Sequence, residues 1–310
     1  MSLFKRYCLM IISPSLVVGL VDGDGNLVAS QPYIDYQYGH RSSEILIPLR
    51  GERLLAILHD DIGNISYKDN RLVLKQIIYS NVNISSMTLL GKIAEAVLVR
   101  RCAEDCEINQ QLFTLARRKR AYRNTAANFV AIGTGLKQTQ VLHPRRYNPS
   151  DTQRDIIWVD EKDVPALMAG SSRQCGIEAG LQVKASIDGI GYVYRDIANS
   201  RYEVPIVYFP IMNDFERIAD RLVKENAKFR DPQTGEYRNI RIGEDFIDIR
   251  AYDIEAFEEV KDYYPIISDL MDGEIELDDL VDEAMGNPTF ENTMMMTAIN
   301  SATPNTIVLR

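Results

Sequence analysis

Two polar side chains stand two residues apart inside an apolar run of the sequence. In A-G-L-Q-V-K-A-S, residues 179–186, the amide of Gln182 and the ammonium of Lys184 alternate with Leu181 and Val183. Successive side chains of a β-strand point to opposite faces, so the amide and the ammonium share one face while the apolar pair can pack on the other. An amide oxygen accepts hydrogen bonds, and an ammonium is a compact positive charge. This strand face could therefore do chemistry, given acids from elsewhere in the chain.

The elements before this strand supply such acids. A run of strand-forming residues, D-I-I-W-V at residues 155–159, opens on Asp155. Earlier, residues 87–103 predict a helix because apolar residues recur every four positions, and Glu95 lies at its middle. Apolar residues on more than one side of this helix indicate that it is wedged between layers. Two tripeptides elsewhere in the chain have an acid two residues before a lysine, but neither lies in an apolar strand that follows such a helix and such a strand.

Three short motifs occur in order: G-K-I-A-E-A at residues 91–96, D-I-I-W-V at 155–159 and Q-V-K-A-S at 182–186. A predicted helix and the strand-like run V-P-I-V-Y-F, residues 204–209, follow them. This order resembles that of the PD-(D/E)XK, or restriction-endonuclease-like, nuclease superfamily, in its Q-x-K variant, over residues 86–230. The resemblance implies an α/β (α+β) fold with a mixed sheet flanked by helices.

The resemblance also implies roles for the polar residues. Asp155 would be the principal metal ligand, Gln182 would occupy the second ligand position and Glu95 would support metal binding. Lys184 would handle the attacking water. The interval between Asp155 and Gln182 is long for the family, and it holds three rival acids: Asp160, Asp163 and Glu178.

Phosphodiester hydrolysis gives these residue types a physical rationale. The reaction needs charge neutralised on the scissile phosphate and a hydroxide available near neutral pH, and a divalent metal supplies both. Oxygen ligands suit Mg²⁺ or Mn²⁺. Gln182 offers a carbonyl oxygen without charge, so Asp155 and Glu95 would provide the anionic ligation. Lys184 could orient the water or stabilise the developing oxyanion.

A strongly basic stretch lies between the helix and the strand that opens on Asp155. Residues 117–150 hold eight basic residues and no acid, in a chain whose formal net charge is -9. Interleaved with aromatic residues, such a stretch suits a polyphosphate backbone, and we predict nucleic acid, DNA favoured over RNA, as the partner. The alternative is a solvated helix end followed by a loop. The predicted nucleic-acid contacts are Arg117, Arg118, Lys119, Arg120, Arg123, Arg145 and Arg146.

Net charge, cysteine content and the length of apolar stretches limit the classes of protein to which the chain could belong. The net charge and the pI near 5.0 argue against a generally basic coat, so nucleic-acid binding would be local. Four cysteines without a C-x-x-C pair indicate inert buried thiols in a reducing cytoplasm rather than a disulfide framework or a zinc site. The apolar run near the N-terminus lacks a cleavage site, and no stretch is expected to reach the length of a transmembrane helix. We therefore predict a cytoplasmic protein with no membrane partner.

Shifts in composition divide the chain into three predicted parts. Residues 1–85 alternate short β-rich runs with turn residues and predict a small β-rich domain, with strands at residues 45–49 and 54–58 among them. Residues 86–230 form the nuclease-like domain. Residues 231–310 form an acidic C-terminal region.

The acidic C-terminal region could serve several purposes. Residues 253–283 hold thirteen acids against one lysine, and Pro265 and Gly273 are predicted to break them into short helices. By charge complementarity this segment could cover the basic stretch, dock a partner subunit or a second copy in a homo-oligomer, or keep the protein soluble.

Two functions follow from these patterns. The first is a metal-dependent nuclease, an endonuclease that hydrolyses phosphodiester bonds of DNA or RNA, in genome defence, including antiviral defence, or in DNA processing. The second is a nuclease-like scaffold or nucleic-acid-binding module without catalysis, acting in a complex. Gln182 at the second ligand position and Arg154 where the family places a proline favour the second. Near the site, Tyr192, Tyr194 and Tyr202 are expected to pack helix against sheet.

Overall fold

The computed structural model describes residues 16–21, 27–37, 40–68, 71–75, 81–118, 122–169, 176–285, 294–298 and 305–309. Within them the helices are α1 (Tyr33–Gln37), α2 (Ser43–Ala56), α3 (Val82–Glu104), α4 (Cys106–Arg117), α5 (Arg123–Ala126), α6 (Lys137–Leu142), α7 (Val193–Ala198), α8 (Phe215–Lys224), α9 (Ile254–Asp272) and α10 (Leu277–Met285). A π-helical turn, Ile57–Asp61, follows α2, and a 3₁₀ turn, Ile249–Ala251, precedes α9. The strands are β1 (Leu16–Val21), β2 (Leu27–Pro32), β3 (Ile65–Lys68), β4 (Arg71–Leu74), β5 (Val130–Gly133), β6 (Ile156–Val159), β7 (Gly180–Ser186), β8 (Ile206–Pro210), β9 (Lys228–Arg230), β10 (Tyr237–Asn239), β11 (Phe246–Asp248), β12 (Met294–Ala298) and β13 (Asn305–Leu309).

The chain forms two compact units. The first unit comprises Met1–Leu55, Tyr67–Val73 and Asp262–Arg310, and the second comprises Ala56–Ser66 and Leu74–Lys261. The second unit contains all of the elements that carry the three motifs. It also extends beyond the predicted range of 86–230 on both sides.

The first unit combines an antiparallel sheet with helices. Its four strands lie in the order β13-β12-β1-β2, with every neighbouring pair antiparallel. The prediction of strands at residues 45–49 and 54–58 is wrong, because α2 and the π-helical turn occupy them. Gly51, which separates the two apolar runs, does not form a turn. A Cβ there would lie 2.7 Å from the Cβ of Ala284, so this glycine lets α2 and α10 approach closely.

Acids of the segment 253–283 form buried ion pairs. In the first unit Asp262 accepts hydrogen bonds from Arg41 at 2.5 Å and from Arg50 at 3.1 Å. In the second unit the acids Asp253 and Glu259 pair with neighbouring arginines of α3, at 2.7 and 2.6 Å. Helix α9 runs through Pro265, contrary to the prediction, and Gly273, with φ of +77°, follows its end as predicted. These carboxylates are therefore paired with arginines of their own units.

The second unit contains a mixed five-stranded sheet. Its strands lie in the order β11-β8-β7-β6-β5; β11, β8 and β7 run parallel, whereas β7, β6 and β5 pair antiparallel. All residues of β6 and β8 are buried, as expected for strands covered on both faces. The predicted mixed α/β architecture, a mixed sheet flanked by helices, is confirmed.

Helix α3 is the central helix of the second unit. It begins at Val82, after Asn81, whose side chain accepts the Ile84 N–H, and so starts five residues before the predicted start at residue 87. Its buried residues lie on several sides, as predicted, and it packs against β5 and β7. By length and composition alone, α3 is the one helix of the described residues that could cross a membrane, and 61% of its apolar window is buried inside the protein. The prediction that no stretch reaches that length is wrong.

Two of the four cysteines lie in the described residues, and both are free thiols. Cys102 is buried in α3, and burial raises the pKa of its thiol. Cys106 is exposed at the start of α4, where the Arg123 guanidinium lies 2.6 Å from its Sγ. The prediction of a buried thiol is thus correct for Cys102 and wrong for Cys106.

Candidate active site

The segment that carries Asp155 and the strand that carries Gln182 are neighbours in the five-stranded sheet. Strands β6 and β7 pair antiparallel, with Ile156 opposite Leu181. The backbone N–H of Asp155 donates to the Leu181 carbonyl oxygen at 2.9 Å. Asp155 therefore lies beside β7, next to Gln182, the first polar side chain of that strand, although the two segments are far apart in sequence.

The carboxylate of Asp155 receives two donors from β7. The backbone N–H of Val183 donates to Oδ2 at 2.7 Å, and the side-chain amide of Gln182 donates to the same oxygen through Nε2. The backbone is held as well, because the Thr134 N–H donates to the Asp155 carbonyl oxygen at 2.7 Å. These bonds fix the carboxylate against the strand.

Glu95 approaches this pair from α3. Its side chain is buried, with 7% of the residue exposed. The backbone N–H of Gly135 donates to the carboxyl group, and a Cβ at position 133 would lie 2.5 Å from Oε1. Gly133 thus leaves the space that the carboxyl group occupies. Sequence reasoning missed this role, because a glycine that ends an apolar run resembles an ordinary turn residue.

Two buried oxygens of the site have no hydrogen-bond partner among the described residues: Oε1 of Glu95 and Oε1 of Gln182. A buried acceptor without a donor costs about 1–3 kcal/mol. A cation ligated by these oxygens and by Asp155 would remove that cost, and oxygen donors are those that Mg²⁺ and Mn²⁺ take. The donor set therefore fits a hard divalent metal. It combines two carboxylates with one amide, and the described part of the chain contains no group of three or more His, Cys, Asp or Glu side chains suited to a metal.

Burial favours the protonated forms of both acids. Desolvation raises the pKa of Asp155 to about 6, although the Val183 N–H and the Lys184 ammonium act against it. Desolvation, and next the Asp155 carboxylate, raise the pKa of Glu95 well above its ordinary value. Neighbouring acids whose pKa values are raised in this way are typical of functional sites. A bound divalent cation would favour their ionised forms.

We expect the free energy of unfolding in metal-free buffer to fall as the pH rises through the range in which Asp155 titrates. The folded state keeps this proton up to about pH 6, whereas the unfolded chain releases it near the ordinary value of 3.8. The stabilisation is therefore complete below pH 3.8 and lost as pH approaches 6, by roughly 3 kcal/mol at most. Asp155→Asn should lack this loss and gain stability relative to wild type.

The emission of Trp158, the one tryptophan in the chain, reports unfolding of the second unit, because it is buried in β6. Urea titrations from pH 4 to pH 8 should show the difference between wild type and Asp155→Asn changing with pH. A difference that stays constant would contradict the raised pKa of Asp155.

Two tyrosines lie close to the ammonium of Lys184. Its Nζ lies 5.2 Å from the centroid of the Tyr192 ring and 5.1 Å from that of Tyr202, and it donates to the Tyr192 hydroxyl at 3.1 Å. Burial lowers the pKa of Lys184, but the two phenol groups outweigh it and leave the pKa above its ordinary value. The ammonium is therefore charged and fixed in position at neutral pH.

The three rival acids make other contacts. Asp160 accepts the backbone N–H groups of Lys162 and Val164, both at 2.9 Å, within its own turn. Asp163 makes a hydrogen-bond contact with Nδ1 of His143 at 2.7 Å. Glu178 forms ion pairs with Arg154 at 2.8 Å and with Arg146 at 3.4 Å. Asp155 is the acid that contacts Gln182 and adjoins Glu95 electrostatically.

Arg154, which stands where the family pattern has a proline, anchors the segment before Asp155. Its guanidinium donates to Asp151 at 3.1 Å and to Glu178 at 2.8 Å. Its carbonyl oxygen accepts the hydroxyl of Thr134 at 2.7 Å. These bonds constrain the backbone where a proline would otherwise restrict it.

The predicted nucleic-acid contacts have varied surroundings. Arg118 and Arg146 neutralise acids, since Arg118 pairs with the buried Asp245 at 2.7 Å and Arg146 lies 3.4 Å from Glu178. Arg145 is exposed. Arg117 donates to a carbonyl oxygen, Arg123 lies beside Cys106, and Lys119 and Arg120 lie outside the described residues. The structure thus gives Arg118 and Arg146 structural contacts, and the binding role of the stretch stays a prediction.

The tyrosines near the site differ from one another. Tyr194 and Tyr202 are buried, as expected for residues that pack helix against sheet, whereas Tyr192 is 46% exposed and the packing prediction for it is wrong. The glycines at 189 and 191 were the signal available in the sequence, because they place Tyr192 in a turn ahead of α7.

Comparisons of this chain with family models, curated proteins and solved structures found no match.

Proposed function

We propose that the chain is a metal-dependent nuclease that hydrolyses phosphodiester bonds in DNA or RNA. The observation that carries the proposal is the meeting of Glu95, Asp155 and Gln182 from three segments. Within the described residues, two buried oxygens of this group lack hydrogen-bond partners, and a fixed ammonium lies beside them. Genome defence or DNA processing in the cytoplasm is the role that we propose for such an activity.

Each residue has a part in this chemistry. Asp155, Glu95 and the Gln182 carbonyl oxygen would hold Mg²⁺ or Mn²⁺, which when bound supplies charge neutralisation and an acidified water. Lys184 keeps a positive charge in a fixed place, where it stabilises negative charge that develops on a phosphate oxygen. The amide brings no charge, so the site would carry fewer negative charges than one built from three acids. Metal affinity would therefore be modest without nucleic acid.

We expect wild type to cleave DNA or RNA when Mg²⁺ or Mn²⁺ is present, and excess chelator to abolish the cleavage. Lys184→Ala should lower the rate by about 10²- to 10³-fold, since that is the usual cost of removing one fixed charge-stabilising donor. The measurement is the rate of cleavage of labelled oligonucleotides and plasmid as each metal is titrated.

Lys162→Ala is the matched control, because Lys162 also follows an acid by two residues but lies exposed in a turn. It should cleave at the wild-type rate. Equal activity of wild type and Lys184→Ala, or no cleavage by wild type with any metal, would refute the nuclease proposal.

A nuclease-like module without catalysis is the second candidate, and one contact favours it. The Gln182 amide and the Val183 N–H already donate to one oxygen of the Asp155 carboxylate, Oδ2, within the protein. Such a module would bind nucleic acid without cleaving it. Titration calorimetry with Mn²⁺ separates the candidates further, because the nuclease requires metal binding that Glu95→Gln weakens, whereas the module requires none.

A further inference from the structure

Tyr192 presents an aromatic ring to solvent beside the candidate active site. The residue is 46% exposed, although the Lys184 ammonium lies 5.2 Å from its ring centroid and donates to its hydroxyl at 3.1 Å. Tyr202, the second tyrosine near the ammonium, is 3% exposed, and its hydroxyl donates to Asp196 at 2.8 Å. Tyr202 thus packs inside the protein, whereas almost half of the surface of Tyr192 is exposed to solvent.

The turn that carries Tyr192 is fixed by hydrogen bonds. The buried Asp214 accepts the Gly189 N–H at 2.8 Å, and Asp188 accepts the Gly191 N–H at 3.2 Å. Tyr192 stands at the N-cap position of α7 and makes no capping bond with its side chain. Ser, Thr, Asp or Asn would stabilise the helix better at this position. Helix stability and burial therefore do not explain a tyrosine there. The contact with Lys184 explains the residue in part, and it leaves 46% of Tyr192 exposed.

We infer that Tyr192 is a stacking platform for an unpaired base, so that the site takes single-stranded nucleic acid or a duplex whose strands are separated at the site. Exposed aromatic side chains next to positive charge bind unpaired bases by stacking, with little preference for sequence. Within a duplex both faces of a base are covered by its neighbours. An exposed ring therefore cannot stack on a base inside a duplex; it needs an unpaired base or the open face of a terminal pair. The inference rests on the proposed function for the presence of nucleic acid at Lys184.

The test measures binding of a single-stranded oligonucleotide that contains 2-aminopurine, in buffer with chelator so that no strand is cut. Wild type should bind and quench the 2-aminopurine emission by stacking. Tyr192→Ala should bind about 5- to 150-fold more weakly and lose the quenching. Tyr192→Trp should retain both. Tyr237→Ala is the matched control, because Tyr237 is 61% exposed on β10, and it should behave as wild type.

The outcomes separate this inference from the nuclease proposal. Wild-type binding and quenching by Tyr192→Ala would overturn the stacking role alone, as would an equal loss of affinity for the fully paired duplex. Quenching that depends on Tyr192, in a protein that cleaves nothing with any metal, would support the stacking role and refute the hydrolysis. Failure of wild type to bind any single strand or duplex would overturn both.

Discussion

Asp155→Asn should lower metal-dependent cleavage by about 10³-fold or more, because metal stabilisation of the reacting phosphate amounts to several kcal/mol. Asparagine keeps the size of the side chain and can still accept the Val183 N–H, so the strand contact at 2.7 Å survives. It removes the negative charge that the metal needs next to the uncharged Gln182. Single-turnover cleavage of a labelled oligonucleotide at saturating Mg²⁺ and Mn²⁺ measures the effect.

Asp160→Asn is the matched control for this substitution. Asp160 is a rival acid in the turn after β6, and an asparagine there can accept the same backbone N–H groups of Lys162 and Val164. The control should keep the wild-type rate. If Asp160→Asn lost activity while Asp155→Asn retained it, the assignment of Asp155 as principal ligand would be wrong.

Asp245→Ala should destabilise the second unit by about 3–5 kcal/mol, because it leaves two arginines without their buried partner. Asp245 is fully buried; it accepts Arg118 at 2.7 Å and two bonds from Arg238, at 2.6 and 2.7 Å. Both guanidinium groups also lie over the Phe229 ring, at 4.6 and 5.1 Å. Burial raises the pKa of Asp245, but the arginines outweigh it and leave the pKa lowered. Urea unfolding followed by Trp158 emission measures the loss.

Glu244→Ala tests the neighbouring acid in the same chain segment. Glu244 pairs with Arg241 at 3.0 Å, and both side chains are about 60% exposed. Exposed pairs of this kind contribute about 0–1 kcal/mol, so this variant should unfold close to wild type. Similar losses in the two variants would show that the local turn, and not the buried ion pairs, determines stability.

Much of the second unit is predictable from local sequence. The strand at Asp155, the strand at Gln182 and the run V-P-I-V-Y-F each consist of residues suited to buried strands, and each forms one. Helix α3 is predictable for the same reason, because its apolar residues follow the helical repeat. The secondary structure of residues 45–58 was not predictable from local sequence, because their apolar runs suit a strand and a buried helix equally. The tertiary structure selects the helix, in which Gly51 lets α2 approach α10 closely.

The order of the residue types can be seen in the sequence alone: a glutamate on an apolar helix, an aspartate at the start of a buried strand, and Gln182 two residues before Lys184. The tertiary structure selects the acid that contacts Gln182. Asp155, Asp160, Asp163 and Glu178 are all carboxylic acids in the sequence, and they differ in the partners that the fold gives them. It also decided that Tyr192 stays exposed while Tyr202 is buried. Residue type and periodicity are local properties, whereas burial and pairing arise from segments far apart in the chain.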